Sequence, residues 1–166
     1  SLCNKMLKGS HEEAGLPKNF YILDSQEQLS FIKRIMRNNG YDYKTIGAER
    51  IQDYINDKKE NGMRSRNITT PSTENDIYKL YESACDAEGC VDFSELLLRC
   101  YELVVNNETI AKHYQKKFQY VLVDEFQDTN NLQYKWLRKI SEHYKCVFAV
   151  GDDDQSIYSF RGEQPE

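Results

Sequence analysis

The chain has 166 residues, 39% apolar and 30% charged, enough for one domain with a real core or for two small subdomains that lean on their neighbours. No apolar run approaches the length of a bilayer-crossing helix, and twelve tyrosines and seven phenylalanines exclude bulk disorder. The net charge of −5, with neither residues 1–110 nor 111–166 carrying more basic than acidic side chains, excludes a domain that holds nucleic acid by charge alone.

From Ser1 to about Lys117 the apolar spacing is helical. Leu29, Ile32, Ile35 and Met36 recur at three and four after a cap at Asp24 or Ser25, which predicts an amphipathic helix. The same spacing returns in Ile51–Ile55, in Ile77, Tyr81 and Ala84, and in Phe93, Leu96, Leu97, Cys100 and Leu103, each after turn residues such as Gly47, Pro71-Ser72 or Asp92. This part is therefore expected to hold four to six helices and no strand. The basic cluster from Lys58 to Arg66 is explained equally by a solvated helix end with its loop and by nucleic-acid contact.

The pattern changes at Phe118. Tyr120-Val121-Leu122-Val123 is a short buried-strand run that stops at Asp124-Glu125. Asn130 to about His143 reads as a helix, and Cys146-Val147-Phe148-Ala149-Val150 as a second strand ending at Gly151. Strand, helix, strand is one βαβ unit, so the fold class is mostly α with a partial α/β piece, divided at 1–117 and 118–166. Five cysteines with no C-x-x-C pair read as reduced thiols of a cytoplasmic protein, not as a metal cluster. The start at Ser1, with neither Met nor signal segment, reads as a cut end.

In open parallel sheets a ligand sits beyond the carboxyl ends of the strands, which here lead into Asp124-Glu125-Phe126-Gln127-Asp128 and Gly151-Asp152-Asp153-Asp154-Gln155. A carboxylate that holds Mg²⁺ beside one that polarises the attacking water suits nucleotide hydrolysis. Asp-Glu after an apolar strand is weak as a signal, because acids also cap helices. The longer strings are more specific. Val121 to Asn130, followed some twenty residues on by Val150-Gly151-Asp152-Asp153-Asp154-Gln155-Ser156-Ile157-Tyr158-Ser159-Phe160-Arg161-Gly162, resembles helicase motifs II and III of the UvrD/Rep/PcrA family of superfamily 1. Val91-Asp92-Phe93-Ser94-Glu95-Leu96-Leu97 resembles the family's Asp-Phe-x-x-Leu-Leu segment, and Ser1-Leu2-Cys3 the end of its Thr-Phe-His-x-Leu segment.

The resemblance implies an internal piece of an ATP-dependent DNA helicase that uses ATP and Mg²⁺ and tracks along single-stranded DNA to open duplex. Residues 1–117 would be the helical subdomain 1B and 118–166 part of a RecA-like P-loop NTPase core. It makes Asp124 the Mg²⁺ carboxylate, Glu125 the general base and Gln155 the γ-phosphate sensor, with Gln127 and Asp128 linking the ATP site to neighbouring motifs. Tyr158 and Phe160 would stack on bases, and Arg161 would couple nucleotide state to the strand. Phe160 departs from the family's tryptophan, and Glu163 from its usual alanine. No G-x-x-x-x-G-K-[ST] occurs in the chain, so it is expected to neither hydrolyse ATP nor unwind DNA by itself. Two alternatives are a motor of the helicase–nuclease kind and a non-catalytic DNA-binding adaptor; the Asp124-Glu125 pair speaks against the adaptor, which needs neither carboxylate.

Overall fold

The computed structural model describes residues 2–118. They hold α1 (Leu2–Gly9), β1 (Tyr21–Leu23), α2 (Ser25–Asn38), α3 (Tyr43–Ile46), α4 (Ala48–Glu60), a 3₁₀ turn (Ser65–Asn67), α5 (Thr73–Glu88), β2 (Cys90–Asp92), α6 (Phe93–Asn106) and α7 (Glu108–Phe118). The described part is thus mostly helical, with one small parallel sheet. It divides into two compact units: 16–96, and 2–15 with 97–118.

In the unit 16–96 the local chemistry of the helix starts is explicit. Asp24 caps α2 by accepting from the Glu27 N–H at 2.8 Å, and the Glu27 carboxylate accepts from the Asp24 N–H at 2.9 Å, a closed capping box. Ser72 caps α5 through the Asn75 N–H. The apolar stripes of α2, α4 and α5 then pack on one another: Ile32, Met36, Ile51, Ile55, Ile77, Tyr78 and Tyr81 are buried in one cluster. Burying each such side chain contributes roughly 1.5–3 kcal/mol, which exceeds what helix propensity alone supplies. Phe31 meets Tyr81 edge to face, with ring centroids 5.7 Å apart.

Strands β1 and β2 pair in parallel, with Tyr21 opposite Cys90, Ile22 opposite Val91 and Leu23 opposite Asp92. Parallel neighbours need a long crossover, and the helices α2 to α5 between them are that crossover. The reading of the first 117 residues as strand-free therefore fails. Three residues are too few for an alternation to appear in a sequence, and all of β2 is buried, so no polar face marks it. The helices number seven among the described residues, because the four-residue α3 and the end pieces α1 and α7 add to the expected set.

The second unit is helical. Met6 and Leu7 of α1, Leu98, Cys100, Leu103 and Val104 of α6, and Ala111 of α7 are buried. Arg99 donates to the Ala14 carbonyl at 2.8 Å and ties the turn after α1 to α6. No described helix is long and apolar enough to cross a membrane. The βαβ unit expected over 118–166 lies outside the described residues.

Helix α5 ends on Gly89 in the left-handed region, φ 67° and ψ 37°, with its N–H donating to the Cys85 carbonyl. A Cβ there would also stand 3.0 Å from Pro17 Cγ. Gly89→Ala is expected to lower stability by about 1–2 kcal/mol or more, read as a shifted urea midpoint with unchanged slope. A midpoint equal to that of the parent chain would show that the cap tolerates a side chain.

Candidate functional site

The described residues place one family-like segment in full, Val91 to Leu97. Strand β2 delivers Asp92 to the start of α6, where its Oδ1 accepts from the Glu95 N–H at 2.7 Å. An aspartate at this point satisfies one of the unpaired N–H groups of the helix end and lies favourably in the helix dipole. That is the physical reason for an acid between the strand and the apolar residues Leu96 and Leu97. The other carboxylate oxygen, Oδ2, accepts from Lys59 Nζ at 2.8 Å, the Tyr81 hydroxyl at 2.5 Å and Gln28 Nε2 at 3.2 Å.

Glu95 completes the cluster. Its Oε1 lies 2.9 Å from Lys59 Nζ and 2.7 Å from Arg64 Nη1, and Arg64 Nη2 donates to Oε2 at 2.9 Å. Two cations thus meet two carboxylates in the interior, and the Arg64–Glu95 pair has the bidentate geometry that a planar guanidinium allows. Lys59 is only 2% exposed, and its ammonium also sits 5.1 Å from the Tyr81 ring centre. Burial alone would push the Lys59 pKa down, but the charges of Asp92 and Glu95 outweigh it and hold the ammonium well above its ordinary value. Burial, reinforced by the Asp92 charge, pushes the Tyr81 phenol far up, and burial does the same for Tyr78.

A polar frame surrounds the four charges. Gln52 donates to Gln28 Oε1 at 3.0 Å and to the Ser25 carbonyl at 2.8 Å, while Gln28 also donates to Asn56. Tyr78 donates to the Met63 carbonyl at 2.8 Å, Asn75 to the Ser65 carbonyl at 3.2 Å, and Ser65 to Glu82. The loop after α4 is therefore fastened to α5 and α6. The cluster is a closed clasp: its carboxylates face cations of the same chain, and among the described residues no group of histidine, cysteine or acid side chains could hold a metal ion.

This corrects the reading of the Lys58–Arg66 stretch. Lys59 and Arg64 are neither solvated nor available to a phosphate; they are interior counter-ions of Asp92 and Glu95. Arg66 is left exposed. Phe93, expected on the apolar face of α6, is 58% exposed, while Ser94 and Glu95 turn inward. A hydropathy pattern places glutamate outside; its buried partners Lys59 and Arg64, some thirty residues away in sequence, bring it in.

The candidate residues for nucleotide and DNA, Asp124, Glu125, Gln127, Asp128, Gln155, Tyr158, Phe160 and Arg161, all lie outside the described residues.

The described fold and its segment at 91–97 are those of the N-terminal part of a helicase, and comparison with known families agrees. The chain belongs to the UvrD/REP helicase N-terminal domain family, whose model matches residues 1–166. It is 43% identical over 171 residues to DNA helicase II of Haemophilus influenzae, covering 100% of this chain and 24% of that protein. DNA helicase II of Escherichia coli is 44% identical over 170 residues, covering 99% and 24%. The ATP-dependent DNA helicase PcrA of Bacillus subtilis is 32% identical over 168 residues, covering 98% and 23%. The chain thus spans about a quarter of the length of these relatives.

Lys59→Met leaves Asp92 and Glu95 buried beside a single remaining cation, and is expected to destabilise the fold by about 3–5 kcal/mol in urea unfolding. A loss under about 1 kcal/mol would mean the carboxylates are reached by water, as in exposed pairs. The alkaline limb follows from Lys59, Tyr78 and Tyr81, whose folded pKa values are all raised above the ordinary 10.5 and 10.0. Between those ordinary values and the folded ones the native chain binds more protons than the unfolded chain, so its stability declines as pH rises. The contribution of these groups is complete below pH 10 and is expected to fall steeply above it, which urea midpoints at pH 8, 10 and 11 measure.

Proposed function

We propose that the whole protein is an ATP-dependent DNA helicase that moves along single-stranded DNA and opens duplex with the energy of ATP hydrolysis. The family match across residues 1–166, coinciding with the motif II and III strings, carries this reading. The named relatives that support it are DNA helicases II and PcrA. In this reading residues 1–117 form the helical 1B subdomain, and 118–166 contribute one βαβ unit of the RecA-like core. Such an enzyme works in the cytoplasm.

The donor set at the end of the expected strand, Asp124 with Glu125, is all oxygen and fits a hard divalent ion. Asp124 would hold Mg²⁺, which offsets phosphate charge when bound. Glu125 orients and deprotonates the attacking water, and Gln155 reports whether the γ-phosphate is present. Gln127 and Asp128 carry that state to adjoining segments. Tyr158 and Phe160 offer flat faces to successive bases, and Arg161 ties nucleotide state to the strand. Phenylalanine supplies a stacking face without an indole N–H, and Glu163 places a negative charge beside the strand's path, so this track should grip DNA less tightly than one with tryptophan and alanine there.

In the full-length protein, Glu125→Gln is expected to lower DNA-stimulated ATP turnover by about 10²–10⁴-fold while nucleotide binding persists. Unchanged turnover would remove Glu125 from the chemistry. Tyr158→Ala/Phe160→Ala should weaken single-stranded DNA binding by roughly 1–3 kcal/mol for each lost stack, with little change in salt slope. A changed slope with unchanged stacking affinity would place phosphate contacts there instead. The 166-residue stretch, which contains no phosphate-cradling G-x-x-x-x-G-K-[ST], should show no ATP turnover.

A further inference from the structure

The end of α5 brings two thiols together. When a helix closes on a left-handed residue whose N–H returns to a carbonyl four residues back, the residue after it folds against the side chain that carries that carbonyl, and the contact is usually apolar. Here the left-handed residue is Gly89, the carbonyl belongs to Cys85, and the next residue is Cys90. Both cysteines are free, both belong to the same buried cluster, and the Cys85 S–H donates to the Cys90 sulfur. The usual apolar contact is replaced by a dithiol.

We propose that Cys85 and Cys90 form a redox-responsive site that a hydroperoxide closes into a disulfide across the C-terminal cap of α5. The pair lies under a thin cover: Asp86, Ala87 and Glu88 are exposed, Gly89 is half-buried, and each thiol residue keeps a small exposed remainder. The donated hydrogen bond holds the Cys90 thiol below its ordinary pKa, and the Lys59 ammonium acts in the same direction, so Cys90 is the attacking group. The Cys90 thiolate takes the outer oxygen of hydrogen peroxide, the O–O bond breaks, and the hydroxide leaves as water after gaining a proton. The Cys90 sulfenic acid is then attacked by the Cys85 sulfur; the S–O bond breaks, the S–S bond forms, and a second water carries away the Cys85 proton. Two thiols lose two electrons and one peroxide gains them.

The other close pair does not share this arrangement. Cys100 donates its S–H to the Cys3 backbone carbonyl at 3.4 Å, and burial pushes the Cys100 thiol well up. That pair should stay reduced while Cys85 and Cys90 react.

The test uses the folded 166-residue chain, treated with hydrogen peroxide, alkylated and digested with trypsin. Expected is a peptide from Leu80 to Arg99 that lacks both alkyl groups, is 2 Da lighter than its reduced form and regains alkylation after dithiothreitol. In the Cys85→Ser chain Cys90 should be captured by dimedone as the sulfenic acid, whereas in Cys90→Ser no dimedone adduct should form at Cys85. Full alkylation of Cys85 and Cys90 in the peroxide-treated folded chain would overturn the proposal, as would a disulfide that appears only after urea unfolding. Dimedone on Cys85 of the Cys90→Ser chain, with none on Cys90 of Cys85→Ser, would overturn the assigned order of attack.

Discussion

The interior charge cluster of Lys59, Arg64, Asp92 and Glu95 sets the arrangement of the unit 16–96. An ion taken from water into a protein interior costs several kcal/mol unless its partners stand in place, so the cluster tolerates little displacement. Each charge comes from a different stretch of chain: the end of α4, the loop after it, the end of β2 and the first turn of α6. Bringing four such stretches to one point determines the path of the crossover between the two parallel strands. The helices α2, α4 and α5 then close the apolar face around it, with Tyr81 belonging to both sides, its ring in the core and its hydroxyl on Asp92.

The Asp-Phe-Ser-Glu segment is best understood through that cluster. Asp92 serves a helix end with one oxygen and the interior cations with the other, so neither asparagine nor glutamate could stand in without loss: one lacks the charge and the other the reach. Glu95, three residues on, is placed on the same side of α6 as the capping oxygen and takes both Arg64 nitrogens. A motif met in a helicase chain invites a catalytic reading, yet the positions here hold architecture. The nearby dithiol at the cap of α5 shows how close a reactive pair stands to the same interior, since the Lys59 ammonium is felt at both sulfurs.

Much of this was legible in the residues. The capping pattern at Asp24, the apolar spacing of α2, α4 and α5, and the turn before α5 announce themselves because each is local: a cap needs three residues and a helical stripe needs eight. The strands were not legible, because three residues carry no period. Phe93 and Glu95 were misassigned by hydropathy, since the decision between inside and outside rested on cations at positions 59 and 64. The candidate nucleotide and DNA residues were found through string resemblance, which reads chemistry without geometry.

The sequence by itself determined the family, the helical character of the first two thirds and the position of the motif strings, because these depend on neighbours along the chain and on the order of residue types. Only the tertiary structure decided that Lys59 and Arg64 are interior counter-ions, that Tyr21–Leu23 pairs with Cys90–Asp92, and that Cys85 meets Cys90. The physical reason is the same for the ion pairs and the strands: the energy of a buried charge or of a parallel ladder depends on partners far off in sequence, and no window along the chain contains both.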